Sequence, residues 1–166
     1  MKTFNSLKLA LPAVIAVLTL GLTPSASATT TVTTTFGVSA TVQSTCLISA
    51  TALAFGTYTG VVDNATSTVS ITCTNTTPYN VALNPGTTGT TVTARKMAGP
   101  SSSVLNYALY SNSGMTTNWG QTSGTDTVSG TGSGSAQAIT VYGQIPAGQY
   151  VNPGSYADTI TASVIY

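Results

Sequence analysis

"TTTVTTTFGVSATV", residues Thr29 to Val42, places Val32, Phe36, Val38, Ala40 and Val42 on one parity, with Thr, Ser or Gly between them. A period of two is the pattern of a β-strand that buries one face. What this apolar face packs against decides the architecture, because the segment stands ahead of a series of comparable short runs.

Upstream of it, Lys2 and Lys8 precede an apolar run from Leu9 to Leu22, followed by Ala26-Ser27-Ala28. A basic start, a short apolar core and an Ala-x-Ala end are the three parts of a secretory signal peptide. Residues 1–28 are therefore expected to be a leader cleaved after Ala28, leaving 166 − 28 = 138 residues, enough for one domain. The apolar run is shorter than the roughly 20 residues a membrane helix needs, and no later segment is more apolar. The chain is expected to be exported and not membrane-spanning.

Two of the four basic residues fall in that leader. Beyond it, Arg95 and Lys96 stand against Asp63, Asp126 and Asp158, a formal charge of 2 − 3 = −1. Such a chain has no basic patch to hold phosphates, which excludes nucleic acid as a partner, and no polybasic segment for an anionic membrane. Cys46 and Cys73 are the only cysteines. In an oxidising compartment they are expected to form a disulfide, whose loop of about 28 residues stabilises by roughly 3–4 kcal/mol.

Past residue 28 no stretch repeats with the period of a helix. Short alternating runs follow one another instead: Cys46–Ile48, Leu53–Tyr58, Thr66–Thr74, Tyr79–Leu83, a weaker Thr90–Met97, Val104–Tyr110, Gln137–Ile145 and Tyr156–Tyr166. Asn84-Pro85-Gly86 and Pro146-Ala147-Gly148 read as turns, and Gln121–Ser135 as a long surface loop or irregular hairpin. Many short strands at this spacing predict an all-β, antiparallel sandwich.

The inventory for catalysis is thin. His and Glu are absent from the chain, so serines and threonines lack an activating base, and the expectation is that this is not an enzyme and needs no cofactor or metal. Arg95-Lys96 reads as a solvated strand pair. The single tryptophan, Trp119, reads either as a sugar-stacking platform of a carbohydrate-binding module or, with greater weight, as core beneath a loop. Asp158 reads as a structural acceptor of backbone N–H groups near a turn.

The final alternating run, with Ile160, Ala162, Val164 and Tyr166 on one parity, reaches the last residue of the sequence. A sandwich of immunoglobulin type normally carries one more strand there, so the expected fold is an incomplete sandwich with an uncovered apolar groove beside this run. The spare segment 29–42 has two ways to fill such a groove. It can fold back in cis, or enter the groove of a neighbouring copy, which is strand addition and generates a head-to-tail filament. Burying five apolar side chains at about 1.5–3 kcal/mol each contributes on the order of 10 kcal/mol before ordering costs.

Taken in order, Cys46, Phe55-Gly56-x-Tyr58, Ile71-x-Cys73, Arg95-x-Met97, Leu105-x-Tyr107-x-Leu109-Tyr110, Val141-Tyr142-Gly143-x-Ile145-Pro146 and Gly154-x-Tyr156-x-Asp158 span nearly all of the sequence beyond the leader. This set resembles the spore coat protein U family, which includes subunits of archaic chaperone–usher pili. The resemblance implies an incomplete immunoglobulin-like domain over residues 43–166 and a donor strand over residues 29–42. It further implies a periplasmic chaperone, an outer-membrane usher and other pilins as partners, and a cell-surface pilus serving adhesion and biofilm formation. A secreted coat protein of the same family is the alternative it leaves.

Overall fold

The computed structural model describes residues 27–166. Most of the predicted leader lies outside the described residues. The chain divides between Ala40 and Thr41 into two units. In the first, residues 27–40 carry no secondary structure, and Val32 and Phe36 are 91% and 86% exposed. The alternation seen in the sequence forms no ladder there, since a strand exists only where a second backbone satisfies its N–H and C=O groups.

The second unit is all-β. Its strands are β1 (Cys46–Ala50), β2 (Asp63–Cys73), β3 (Pro78–Leu83), β4 (Arg95–Ala98), β5 (Val104–Tyr110), β6 (Val128–Thr131), β7 (Gln137–Ile145) and β8 (Ala162–Ile165). A single 3-10 turn, Pro100–Ser102, connects β4 to β5. The strands form two antiparallel sheets, one of five strands in the order β1-β2-β7-β5-β4 and one of three in the order β6-β3-β8. This is an incomplete immunoglobulin-like sandwich. The free edges are β1 and β4 of the larger sheet and β6 and β8 of the smaller.

Alternation along each strand builds the core. Val69, Ile71 and Cys73 of β2, Tyr79, Val81 and Leu83 of β3, Leu105, Tyr107 and Leu109 of β5, and Val141 and Ile145 of β7 are all buried. Their outward neighbours are mostly Thr, Ser, Asn and Gln, as a half-solvated antiparallel sheet requires. Cys46 and Cys73 are direct register partners across β1 and β2 and form a disulfide.

The structure corrects or narrows four expectations. Arg95 is not solvated; it is 0% exposed. Trp119 is also 0% exposed, which agrees with the core reading given greater weight and leaves no sugar-stacking platform. Residues 121–135 are not loop throughout, because Val128–Thr131 pairs with β3. The weak Thr90–Met97 run shortens to Arg95–Ala98, an edge strand.

The junction of the two sheets explains both burials. The Trp119 N–H donates to the Leu109 carbonyl of β5 (2.9 Å), while the Leu83 N–H of β3 donates to the Gly120 carbonyl (2.8 Å). One short segment thus ties the sheets together. Trp119 Nε1 donates to the Val81 carbonyl (2.8 Å), satisfying the indole's only polar atom. Arg95 sits beside it and donates to four carbonyls: Val92 (2.8 Å), Leu83 (3.0 Å), Asn84 (2.9 and 3.0 Å) and Trp119 (2.8 Å). Removal from water pushes the guanidinium pKa down; the negative field of Tyr107, Asp126 and Asp158 works against that shift.

Candidate functional site

Two stretches of backbone in the second unit run without a place in either sheet: residues 51–60, after β1, and residues 149–161, before β8. Between them opens an apolar cleft. Its larger lobe, about 840 Å³, is lined by Leu53, Phe55, Met97, Leu105, Ile145 and Tyr156 among others. The smaller lobe, about 390 Å³, is floored by Val69, Leu83, Leu109 and Val141, with Ile160 at its rim. Leu53, Phe55, Met97 and Tyr156 line both, so the two lobes adjoin.

Each flank is built by period-two alternation in the absence of a ladder. On the first, Leu53 and Phe55 are half-buried while Ala52, Ala54 and Gly56 are exposed. Gly143 makes their seat: a Cβ at this inward position of β7 would approach Leu53 Cδ1 and Phe55 Cζ to 2.8 Å. Phe55 also meets the Tyr107 ring edge-on at a centroid distance of 6.3 Å. The first flank is pinned further on, where Tyr58 Oη donates to the Pro146 carbonyl (2.7 Å) and the Gly148 N–H donates to the Gly60 carbonyl (3.0 Å).

On the second flank, Tyr156, Asp158, Ile160, Ala162 and Val164 are half-buried and every residue between them is exposed. The parity expected over Tyr156–Tyr166 therefore holds as far as Val164, although only Ala162–Ile165 is paired as a strand, with β3. Ile160, Ala162 and Val164 pack against the core, whereas Tyr166 lies beyond β8 and is 58% exposed. The other edge of β8 carries no ladder partner.

The second flank has a polar anchor. The Asp158 carboxylate accepts hydrogen bonds from Tyr107 Oη (2.7 Å), Thr87 Oγ1 (2.7 Å) and the backbone N–H groups of Thr87 and Thr159 (both 2.8 Å). Partial burial pushes its pKa up, but these donors outweigh that and hold it below the ordinary carboxylate value. Burial first, then the bond to Asp158, pushes the Tyr107 phenol well above its ordinary value. Asp158 thus does more than the turn-capping acceptor role read from its sequence neighbourhood. Its partners Tyr107 and Thr87 lie 51 and 71 residues away in sequence, and no local signal marks them.

Among the described residues no three His, Cys, Asp or Glu side chains gather to hold a metal, and no helix is long and apolar enough to cross a membrane. In the cleft Asp158 is the acidic residue, and the hydroxyls beside it, those of Tyr107 and Thr87, are its hydrogen-bond donors. What it offers is an apolar floor between two backbones with free hydrogen-bonding groups, the geometry that receives an extended chain.

Val38 and Val42 are 85% exposed, like the other apolar residues of the 29–42 segment. The lining residues Leu53, Phe55 and Met97 were not singled out from sequence as groove positions; the Leu53-x-Phe55 alternation opposite Gly143 was the available signal.

Comparison with known proteins gives three results. The family described as Spore Coat Protein U domain matches residues 32–163. Protein U of Myxococcus xanthus is 34% identical over 128 residues, covering 69% of this chain and 71% of that protein. A solved structure, the CsuC–CsuE chaperone–tip adhesion subunit pre-assembly complex from archaic chaperone–usher Csu pili of Acinetobacter baumannii, contains a similar chain. There the TM-score is 0.58 and the identity 26%, over 76% of this chain and 41% of that one.

Proposed function

From the premise that the chain belongs to the Spore Coat Protein U domain family, we propose that it is a structural subunit of a cell-surface pilus assembled through a chaperone–usher pathway. Residues 29–42 of one subunit act as donor strand for the cleft of the next, with Val32, Phe36, Val38, Ala40 and Val42 entering the slot. The observation that carries this reading is the pairing of two complementary incomplete parts. One is an apolar slot between unladdered backbones 51–60 and 149–161; the other is an exposed segment with five apolar side chains on one parity.

The physical balance favours such an exchange. Water-exposed apolar side chains and an uncovered floor are both removed from solvent, while the β8 edge gains a ladder. Before assembly a periplasmic chaperone covers the slot, and an outer-membrane usher adds subunits; adhesion and biofilm formation follow from the filament at the surface. Copies of the same chain or related pilins are the neighbours.

Phe36→Asp or Val38→Asp tests this. The substituted subunit is expected to be exported at normal levels but to give no fibres by negative-stain microscopy. Normal fibres from either variant would remove the donor role. A second reading, a secreted coat protein, draws on the similarity to Protein U. It predicts self-associated material in cells that lack any chaperone and usher, whereas the pilus reading predicts none.

A further inference from the structure

Of the half-buried row Tyr156, Asp158, Ile160, Ala162 and Val164, one member is a carboxylate in a position that otherwise takes apolar side chains. A charge facing a core is tolerated only when it is fully hydrogen-bonded. The four donors on Asp158 come from three places: β5 through Tyr107, the turn before β4 through Thr87, and its own flank through Thr159. The turn is shaped for it. Gly86 takes a left-handed φ of +89°, and any Cβ there would collide with the carboxylate.

The same turn grips the flank three residues further on. The Asn84 N–H donates to the Thr161 carbonyl (3.1 Å), and the Thr161 N–H donates to Asn84 Oδ1 (2.9 Å). Just ahead of these ties the flank is also held by the bridge from Ala157 to Ala98 and by the Tyr156 hydroxyl, which bonds Ser103 Oγ (2.9 Å) and the Asn152 carbonyl (2.6 Å). An empty apolar slot in water is driven to close, because closure removes its floor from solvent. What opposes closure on this side is this set of polar ties, four of which converge on Asp158.

We infer that Asp158 is a positioning residue that keeps the empty cleft open in its strand-accepting shape, by fastening the flank Tyr156–Thr161 to the Asn84–Thr87 turn and to Tyr107. This rests on the cleft being a strand acceptor, as argued above. Loss of the fastening lowers the fraction of subunits competent to take a strand, and apparent uptake falls in proportion.

The experiment uses the full chain carrying Phe36→Asp and Val38→Asp, so that its own tail does not compete, and a fluorescent peptide of residues 29–42 as probe. Uptake is followed by anisotropy, and amide exchange at Thr159 and Thr161 is measured in the empty and loaded states. Asp158→Asn is expected to slow uptake by about tenfold, as a fall of the competent fraction to about a tenth requires. Thr87→Val, at an exposed site that leaves the core untouched, is expected to slow it several-fold. Both variants should exchange faster at Thr159 and Thr161 when empty and regain protection when loaded. A purely structural role would instead raise exchange in both states. Unchanged uptake and exchange in Thr87→Val, with or without a folded Asp158→Asn, overturns the inference. If the unsubstituted cleft takes up no peptide, the strand-acceptor reading itself falls.

Discussion

Arg95 and Trp119 meet at one carbonyl. Arg95 Nη2 donates to the Trp119 oxygen at 2.8 Å, and the Trp119 indole passes over to the Val81 carbonyl at 2.8 Å. A charged side chain and the largest aromatic of the chain thereby close the same junction between two sheets, both with no exposed surface.

Replacing Arg95 by Met leaves the carbonyls of Leu83, Asn84, Val92 and Trp119 without their shared donor. The expected loss of stability is about 3 kcal/mol or more, read from the urea midpoint. Arg95→Lys should recover little of it, since a single ammonium cannot reproduce the planar fork that reaches all four oxygens.

Trp119, sealed in the core, should emit at short wavelength and resist acrylamide quenching in the native protein. Trp119→Phe removes the donor to Val81 and is expected to cost about 2 kcal/mol in chemical denaturation. A quenchable, red-shifted tryptophan would contradict the burial.

The Cys46–Cys73 bridge joins register partners on β1 and β2, so its removal should leave the sheet pairing intact but loosen the β1 edge. The double substitution of both cysteines by Ala is expected to lower stability by about 2–4 kcal/mol, and a reductant should lower the wild type to the same level.

Stability should form a plateau with two falling limbs. The Asp158 pKa is depressed on folding, so its contribution is complete above the unfolded carboxylate value, about 3.9, and is lost as pH falls through the folded one. The Tyr107 pKa is raised on folding, so its contribution is complete below the unfolded phenol value, about 10, and is lost as pH rises toward the folded one. Denaturation midpoints between roughly pH 5 and pH 9 should therefore be flat with respect to these two groups. Asp158→Asn should flatten the acid limb and Tyr107→Phe the alkaline one.

The sandwich was legible in the sequence because its strands bury one face and alternate. Val104–Tyr110 and Gln137–Ile145 coincide with β5 and β7. Alternation reports the direction of side chains and says nothing of pairing. That is why Leu53–Gly56 and Tyr156–Ile160 alternate in the structure without belonging to a sheet. It is also why the period-two pattern of residues 29–42 stands in the structure with no ladder over it. Arg95 was misjudged for a different reason. Its fate depends on four carbonyls brought from three other segments, a convergence that a run of neighbours in sequence does not encode. A groove was expected from the sequence only beside the final run, whereas the flank 51–60 depends on Gly143 making room across the sandwich.

Sequestering Arg95 has an outward effect. Among the described residues Lys96 is then the only side-chain cation at the surface, counted against partly exposed Asp63, Asp126 and Asp158 in a coat rich in hydroxyl and amide groups. Any material made of many such copies presents a nearly neutral, faintly anionic skin. Its bundling and sticking should respond to hydration and close molecular fit, and hardly at all to added counter-ions.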